Sequence, residues 1–518
     1  MSVLKNVMKV SVGTGVSRIL GLVREMVMAH FFGTSTLQSA FVIAFRLPNV
    51  LRRLFGEGAL GQAFTPVFTE VEQREGQHAA QQFVSQILGL LVYILSGIVC
   101  ICILFTFGIE YLCDAGSRWA EAMPLMRITL PYAVLICIAA ILTAVLNVRG
   151  RFGVSALTPA FLNIVWLAVL GGVCPFLPAE GTWRIKAVCW GIVLGGVAQV
   201  AVQLPTLRRV GYVLRFSVHG WRTSPAVRTV LLQTIPASFG IGLAQLNICL
   251  DGWLAFYGAS WAPSALEYAD RIIYLPLGLI GTAYANVLLP TYSRHIATKH
   301  PEALLSTLSK ACRNLMVMTL PMTVGLIVLA TPIVALIYQR GAFTEQSTLW
   351  TARAVFAYAP GVFVFSINKA IVSVFYARKE IRLTVNVASW CLLANLACNI
   401  LSVLLLPEDW CHVGLASSTV FSSILNTIIL IYLLRKRGLC PTVKPLLNTF
   451  IRVLIAVSVM GCTVFICNTY LLNTLPLLFR LLTTILVGGS VYIFLLILLE
   501  RDVWGELRED LPLLRRLK

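Results

Sequence analysis

Seven cations stand deep inside long apolar stretches of this chain, away from their ends: Arg18 and Arg24 in the first, Arg46, Arg52 and Arg53 in the second, Arg271 in the eighth and Lys369 in the tenth. Guanidinium forks suit bidentate contact with phosphate oxygens, and a diphosphate presents several negative charges in one small volume. Carboxylates nearby are fewer, with Glu25 and Glu57 near the first group and Asp270 beside Arg271. An unpaired buried charge is costly, so the surplus predicts that the missing anions arrive with a phosphorylated or pyrophosphorylated ligand. The plainer alternative is that some of these arginines form gate salt bridges, Arg24 with a carboxylate of the other half for example. The two readings are compatible.

Other polar groups are sparser. Asp251 sits toward one end of the seventh stretch, and Asn395 and Asn399, four apart, share a face of the eleventh. An acid with amide oxygens could coordinate Na+ or carry a proton, while an Asn pair joining helices by hydrogen bonds is the commoner arrangement. Lys369, Asn368 and Glu380 are candidates for an inner mouth. Metal chemistry has no support, since the six His are scattered and no CxxC or HExxH spacing occurs. The 14 Cys lie mostly in apolar runs and read as small buried hydrophobes. No GxxxxGK[ST] stretch exists for nucleotide-driven work, so the membrane potential or a gradient of Na+ or H+ would supply the energy.

The elements that must position these residues follow from composition. The chain has 518 residues, 58% hydrophobic and only 12% charged. About 25% charge is usual for soluble domains, so a soluble enzyme and a disordered chain are both excluded. The net charge of +19 would suggest nucleic acid in a soluble protein. In an integral membrane protein it is explained by cytoplasmic loops, and no nucleic acid is expected.

A helix needs roughly 20 residues to cross the hydrocarbon, and about fourteen stretches of that kind can be counted. With the N-terminus in the cytoplasm, about 23 Lys and Arg fall on that side and about 4 on the other, which places both termini inside the cell. The first stretch has no cleavage-type site and is expected to be retained. No loop is long enough for a catalytic domain.

Shifted by 225 residues, Phe31 to Ser35 aligns with Phe256 to Ser260, Ser39 and Ala40 with Ser264 and Ala265, and Ala44 to Arg46 with Ala269 to Arg271. Spans one and two thus resemble spans seven and eight. Six spans separate the copies, so the repeat is parallel. The expected fold is an all-α integral membrane protein of about 14 transmembrane helices: a six-helix lobe at 1–210, a second at 211–437, and a terminal pair with a cytoplasmic tail at 438–518. Gly13, Gly15, Gly21, Pro48, Gly56, Gly58 and Gly61 loosen the first two spans, as bending between alternating states requires and as ordinary helix packing also permits.

The residues also carry a resemblance. Ser17 and Arg18 with Gly21, Leu22 and Arg24, then Pro48, Asn49 and Leu51 through Ala59, resemble the signature of the bacterial lipid II flippases of the MurJ (MviN) family. Asn147 with Arg149, Pro159 with Asn163, Gln203 with Pro205, and Ala269 to Arg271 with Pro276 and Gly278 extend the match. The resemblance implies the multidrug/oligosaccharidyl-lipid/polysaccharide exporter superfamily and a non-enzymatic transporter of the bacterial inner membrane. The implied activity is translocation of undecaprenyl-diphosphate disaccharide pentapeptide to the outer leaflet for cell wall synthesis, with another polyprenyl-linked glycan or drugs as the alternative cargo. It carries over Arg18, Arg24, Arg52, Arg53 and Arg271 as cavity cations, Glu57 and Asp270 as their local partners, and spans 13 and 14 as part of the groove for the lipid tail, with Glu25 a further gate or salt-bridge candidate. Asp251, Asn395 and Asn399 correspond loosely to an ion site, where the family pattern expects an acid near Asn399. Ser39 stands where relatives often carry Asp. A monomer, with cell-wall synthesis or division proteins as partners, is the expected working form.

Overall fold

The computed structural model describes residues 3–56, 58–114 and 117–500. Among them every regular element is helical and no strand occurs. A helix satisfies its own backbone N–H and C=O groups, which lipid cannot do for it. Eleven runs among the described residues are long and apolar enough to cross a membrane. The longest, Thr36–Leu112, has 77 residues. Gly76 breaks it with φ of 86°, a conformation glycine reaches without a Cβ penalty.

The chain divides into two compact units, Met1–Ser264 and Ala265–Lys518. The first holds α1 (Val3–Phe32), α2 (Thr36–Leu51), α3 (Ala59–Leu112), α4 (Arg118–Thr129), α5 (Tyr132–Val148), α6 (Phe152–Gly172), α7 (Trp183–Ala201), α8 (Leu204–Arg209) and α9 (Pro225–Gly258). The second is built from α10 (Ala262–Pro276), which starts at the boundary, then α11 (Thr282–Ala297), α12 (Pro301–Tyr338), α13 (Glu345–Ala377), α14 (Ile381–Leu405), α15 (Glu408–Lys436), α16 (Val443–Ile466) and α17 (Leu477–Leu499). Several starts carry their own caps: the hydroxyls of Ser35, Ser117, Ser224 and Thr344 accept from backbone N–H groups three residues on. Each such cap is worth about 1 kcal/mol.

The internal repeat has a structural counterpart. A π-helical turn, Arg52–Gly56, follows Pro48 of α2, and another, Leu277–Gly281, follows Pro276 of α10. The two turns are separated by the same 225-residue shift that aligns the sequences, and Ser39 and Ser264, matched by that shift, hydrogen-bond through their hydroxyls at 3.0 Å. Pro48 has no N–H for the Ala44 carbonyl one turn back. Thr129 of α4 offers a replacement, its buried hydroxyl lying 3.2 Å from that carbonyl and equally from the Met126 carbonyl of its own helix, with which it shares its one proton. Thr129→Val keeps the shape and removes the donor. The variant is expected to lose about 1–2 kcal/mol, read as a melting point lowered by a few degrees in detergent; an unchanged melting point contradicts this role.

Aromatic rings fill the first unit. Trp166 of α6 meets Phe41 and Phe45 edge-on at 5.6 and 5.5 Å, and Phe64 stacks with Phe68 and Phe83. The segment after α8 lies along α3, held by a series of amides. Gln77 donates to the Gly211 carbonyl at 2.7 Å, Gln81 to the Val213 carbonyl at 2.9 Å and Gln86 to the His219 carbonyl at 3.1 Å. Gly89 permits this approach, since a Cβ there would stand 2.4 Å from the Ser217 carbonyl oxygen.

Tyr212 in that segment is fully buried and donates to Glu72, which also pairs with Arg149 at 2.8 Å. Burial, helped by the Glu72 hydrogen bond, pushes the Tyr212 phenol up to about 12. The folded form therefore holds this proton longer than the unfolded chain, whose phenol ionises near 10. Its contribution is fully present below pH 10 and is lost as pH rises toward 12. Unfolding midpoints measured across pH 8 to 12 should show a decline starting near 10 that Tyr212→Phe flattens. The same decline in the variant would assign it to other groups.

In the second unit α16 and α17 pair with each other and lie on α12, where the Tyr492 hydroxyl donates to the Val317 carbonyl at 2.7 Å. An apolar groove of about 410 Å³ lies there, lined by Val328, Gly461, Phe465 and Ile466 among others.

Candidate functional site

The candidate cations have different surroundings. Arg24 on α1 is almost covered, with 11% of its side chain exposed. It pairs with Glu25, donates to Asn163 of α6 at 3.0 Å and lies over the Trp166 ring at 4.2 Å. Asn163 in turn donates to the Ser17 carbonyl at 3.1 Å, so the group fastens α1 to α6. Arg24 is thus compensated inside its own unit, by the adjacent Glu25.

Arg18, one and a half turns earlier on α1, is exposed and has no hydrogen bond or ion pair among the described residues. Arg46 donates to the Ile248 carbonyl of α9 at 2.6 Å. Arg53, on the π-helical turn, is exposed and donates to the buried Gln245 amide at 3.2 Å. None of these three faces a carboxylate among the described residues. Arg52, on the same turn, is half-buried and borders a cavity inside the first unit. Glu57 lies outside the described residues.

Consecutive residues on a helix point in different directions, so Arg52 and Arg53, neighbours on the first π-helical turn, serve different places. A π turn adds a residue to the helical repeat and re-aims the side chains that follow, and such turns concentrate at functional sites. Arg52 reaches the cavity while Arg53 reaches α9. The second turn, Leu277–Gly281, has no cation of its own. One comes from α13, where the Lys369 ammonium donates at 2.8 Å to Thr282, the residue that closes the turn. Asn368 beside it donates to Asn426 and Thr427 of α15 at 2.9 and 3.0 Å. Glu380 pairs with Arg378 and Arg437 past the end of α13.

Arg271 stands in the second unit, half exposed, and pairs with Glu267 at 2.7 Å. Glu267 is absent from the sequence reading although its spacing of four residues on one helix is a recognised pairing signal. Asp270 is half-buried next to it. Asp251 belongs to α9 of the first unit and accepts from Asn247 at 3.2 Å. Asn395 and Asn399 belong to the second unit and are fully buried. Asn399 donates to Asn395 at 3.0 Å and accepts from Ser418, which ties α14 to α15.

The match to known proteins covers most of the chain. Residues 28–485 fit the family model described as lipid II flippase MurJ. The chain belongs to the MurJ family. Curated relatives include the probable lipid II flippase MurJ of Vibrio cholerae, 32% identical with 82% of each chain covered, and that of Haemophilus influenzae, 30% identical over 87% of this chain and 90% of the relative. The lipid II flippase MurJ of Burkholderia cenocepacia is 30% identical with 89% of each covered. Among solved structures, the inward closed conformation of the lipid II flippase MurJ superposes with a TM-score of 0.77 at 25% identity, covering 95% of this chain and 99% of the other. An inward-facing multidrug resistance MATE transporter of the MOP superfamily shares the fold alone, with a TM-score of 0.66 at 12% identity, covering 82% of this chain and 95% of the other. In this MurJ-family chain, then, Arg18, Arg46 and Arg53 stand without carboxylate partners among the described residues, and both terminal nitrogens of Arg24 are engaged by Asn163 and Glu25.

Proposed function

We propose that this protein moves lipid II, a polyprenyl-diphosphate-linked disaccharide pentapeptide, from the cytoplasmic to the outer leaflet of the bacterial inner membrane by alternating access. The observation that carries the reading is the group Arg18, Arg46 and Arg53, guanidinium groups in apolar helices with no carboxylate partner among the described residues. A centrally placed Arg costs at least about 2.5 kcal/mol in a bilayer and faces water or protein instead of lipid. Arg18, Arg52, Arg53 and Arg271 are assigned to the diphosphate. Arg24 is assigned to holding α1 against α6, with Glu25 as its partner. The groove of about 410 Å³ beside α16 supports a place for the isoprenoid tail.

Fourteen crossings with both termini in the cytoplasm agree with the distribution of Lys and Arg. The membrane potential or an ion gradient drives the cycle, and the chain works as a monomer alongside cell-wall synthesis or division proteins. Asn395 and Asn399 are assigned to joining α14 and α15, since the Asn399 amide is engaged at both ends, donating to the Asn395 oxygen and accepting from Ser418. Vesicles containing the purified protein and labelled lipid II test the reading. The lipid should gain access to the opposite leaflet and be recovered chemically unchanged. Failure to relocate it, or its covalent conversion, would overturn the assignment.

A further inference from the structure

The cavity bordered by Arg52 lies wholly within the first unit, among α3, α5, α6 and α7, and measures about 490 Å³. That is within the size range of small-molecule sites, roughly 300–1,000 Å³. Apart from Arg52, the described residues of its walls are uncharged. Apolar surface comes from Ile136, Pro159 and Leu162, and polar groups from Gln62, Thr143, Asn147 and Gln199. Several of these polar groups are left with hydrogen-bonding capacity. Gln199 is 2% exposed and donates to the Thr158 carbonyl at 3.3 Å, leaving its Oε1 buried with no partner among the described residues. Asn147 accepts from Ser155 through its carbonyl oxygen, and its amide N–H groups have no acceptor among the described residues. Gln62 is exposed, with no hydrogen bond among the described residues.

We infer that this cavity is a subsite for an uncharged, N-acylated sugar ring attached to the diphosphate, a subsite distinct from the guanidinium contacts themselves. The inference rests on the lipid-linked glycan reading above. A sugar ring offers hydroxyls as donors to the Gln199 oxygen and as acceptors for the Asn147 and Gln62 amides. Its acylamido methyl and ring C–H faces suit the Ile136, Pro159 and Leu162 walls. Among the described residues no carboxylate lines the cavity, so none of them pairs with a cationic guest, and Arg52 at its border suits a diphosphate next to the sugar rather than a second anion deep inside. An amide oxygen held buried without a donor is an expense that a bound hydroxyl would relieve.

Two probes separate the sugar from the phosphate: polyprenyl diphosphate alone, and the same lipid bearing one N-acetylhexosamine. The native protein in detergent should bind the sugar-bearing lipid about tenfold more tightly. Gln199→Leu removes the amide, and Ala144→Leu fills the cavity from its wall without removing any polar group. Both variants should bring the two affinities within about threefold while leaving the bare diphosphate lipid bound as before. Arg52→Ala should weaken both probes. Equal binding of the two probes by the native protein would overturn the subsite, as would a preference that survives both cavity variants. If Arg52→Ala leaves both probes unaffected while the sugar preference persists, the diphosphate assignment falls and the sugar subsite stands.

Discussion

Arg52→Ala and Arg271→Ala should each lower the delivery of lipid II to the outer leaflet by at least tenfold, about 1.4 kcal/mol or more of lost interaction. Charge-assisted hydrogen bonds to phosphate contribute about 1.5–3 kcal/mol each, and a bidentate fork makes two. Lysine at either position restores charge but not the fork, so Arg52→Lys and Arg271→Lys should recover only part of the rate. The residues differ in their surroundings: Arg52 borders a cavity of the first unit, whereas Arg271 pairs with Glu267 one turn away in the second. For that reason Glu267→Gln should alter flipping less than loss of Arg271 itself. Full flipping in both alanine variants would defeat the assignment of these cations to the diphosphate.

Glu25→Ala should destabilise the protein more than any cavity substitution. Glu25 and Arg24 have side-chain exposures of 9% and 11%. Removing one partner of a buried pair leaves the other charged and uncompensated, at a cost of about 3–5 kcal/mol. The double variant Glu25→Ala/Arg24→Met takes both charges away and should recover most of that loss, because a packed apolar pair escapes the desolvation penalty. Melting temperatures of the two variants in one detergent provide the comparison. Equal melting of the single variant and the native protein would mean that Arg24 finds water or another anion when Glu25 is gone.

The repeat, the helical class and the cation positions could be read from the sequence because they depend on local composition and on a fixed 225-residue shift. The partners of those cations could not. Asn163 lies 139 residues from Arg24, Gln245 lies 192 from Arg53 and the Ile248 carbonyl lies 202 from Arg46. Such pairings depend on which helices become neighbours. Glu25 was legible as a nearby acid, but its pairing with the adjacent Arg24 was not, since adjacent helical residues do not ordinarily face each other. Here Asn163 and Trp166 hold the guanidinium over its neighbour. The π-helical turns were also beyond reach, since Pro48 and Pro276 announce a disturbance without stating its form. Thr129, on another helix, offers the replacement donor at the first. Likewise, Asn147 and Pro159 entered only as matching residues, and their common cavity with Gln199 emerges once α5, α6 and α7 are assembled.

The central claim is that guanidinium groups of this chain recognise the diphosphate of a lipid-linked substrate. Its most direct test is the binding of polyprenyl diphosphate against the uncharged polyprenol of equal length, measured on the native protein at rising salt. The account predicts at least a hundredfold preference for the diphosphate, about 2.7 kcal/mol, shrinking as salt screens the charges. Equal affinity for the two lipids at low salt would contradict it.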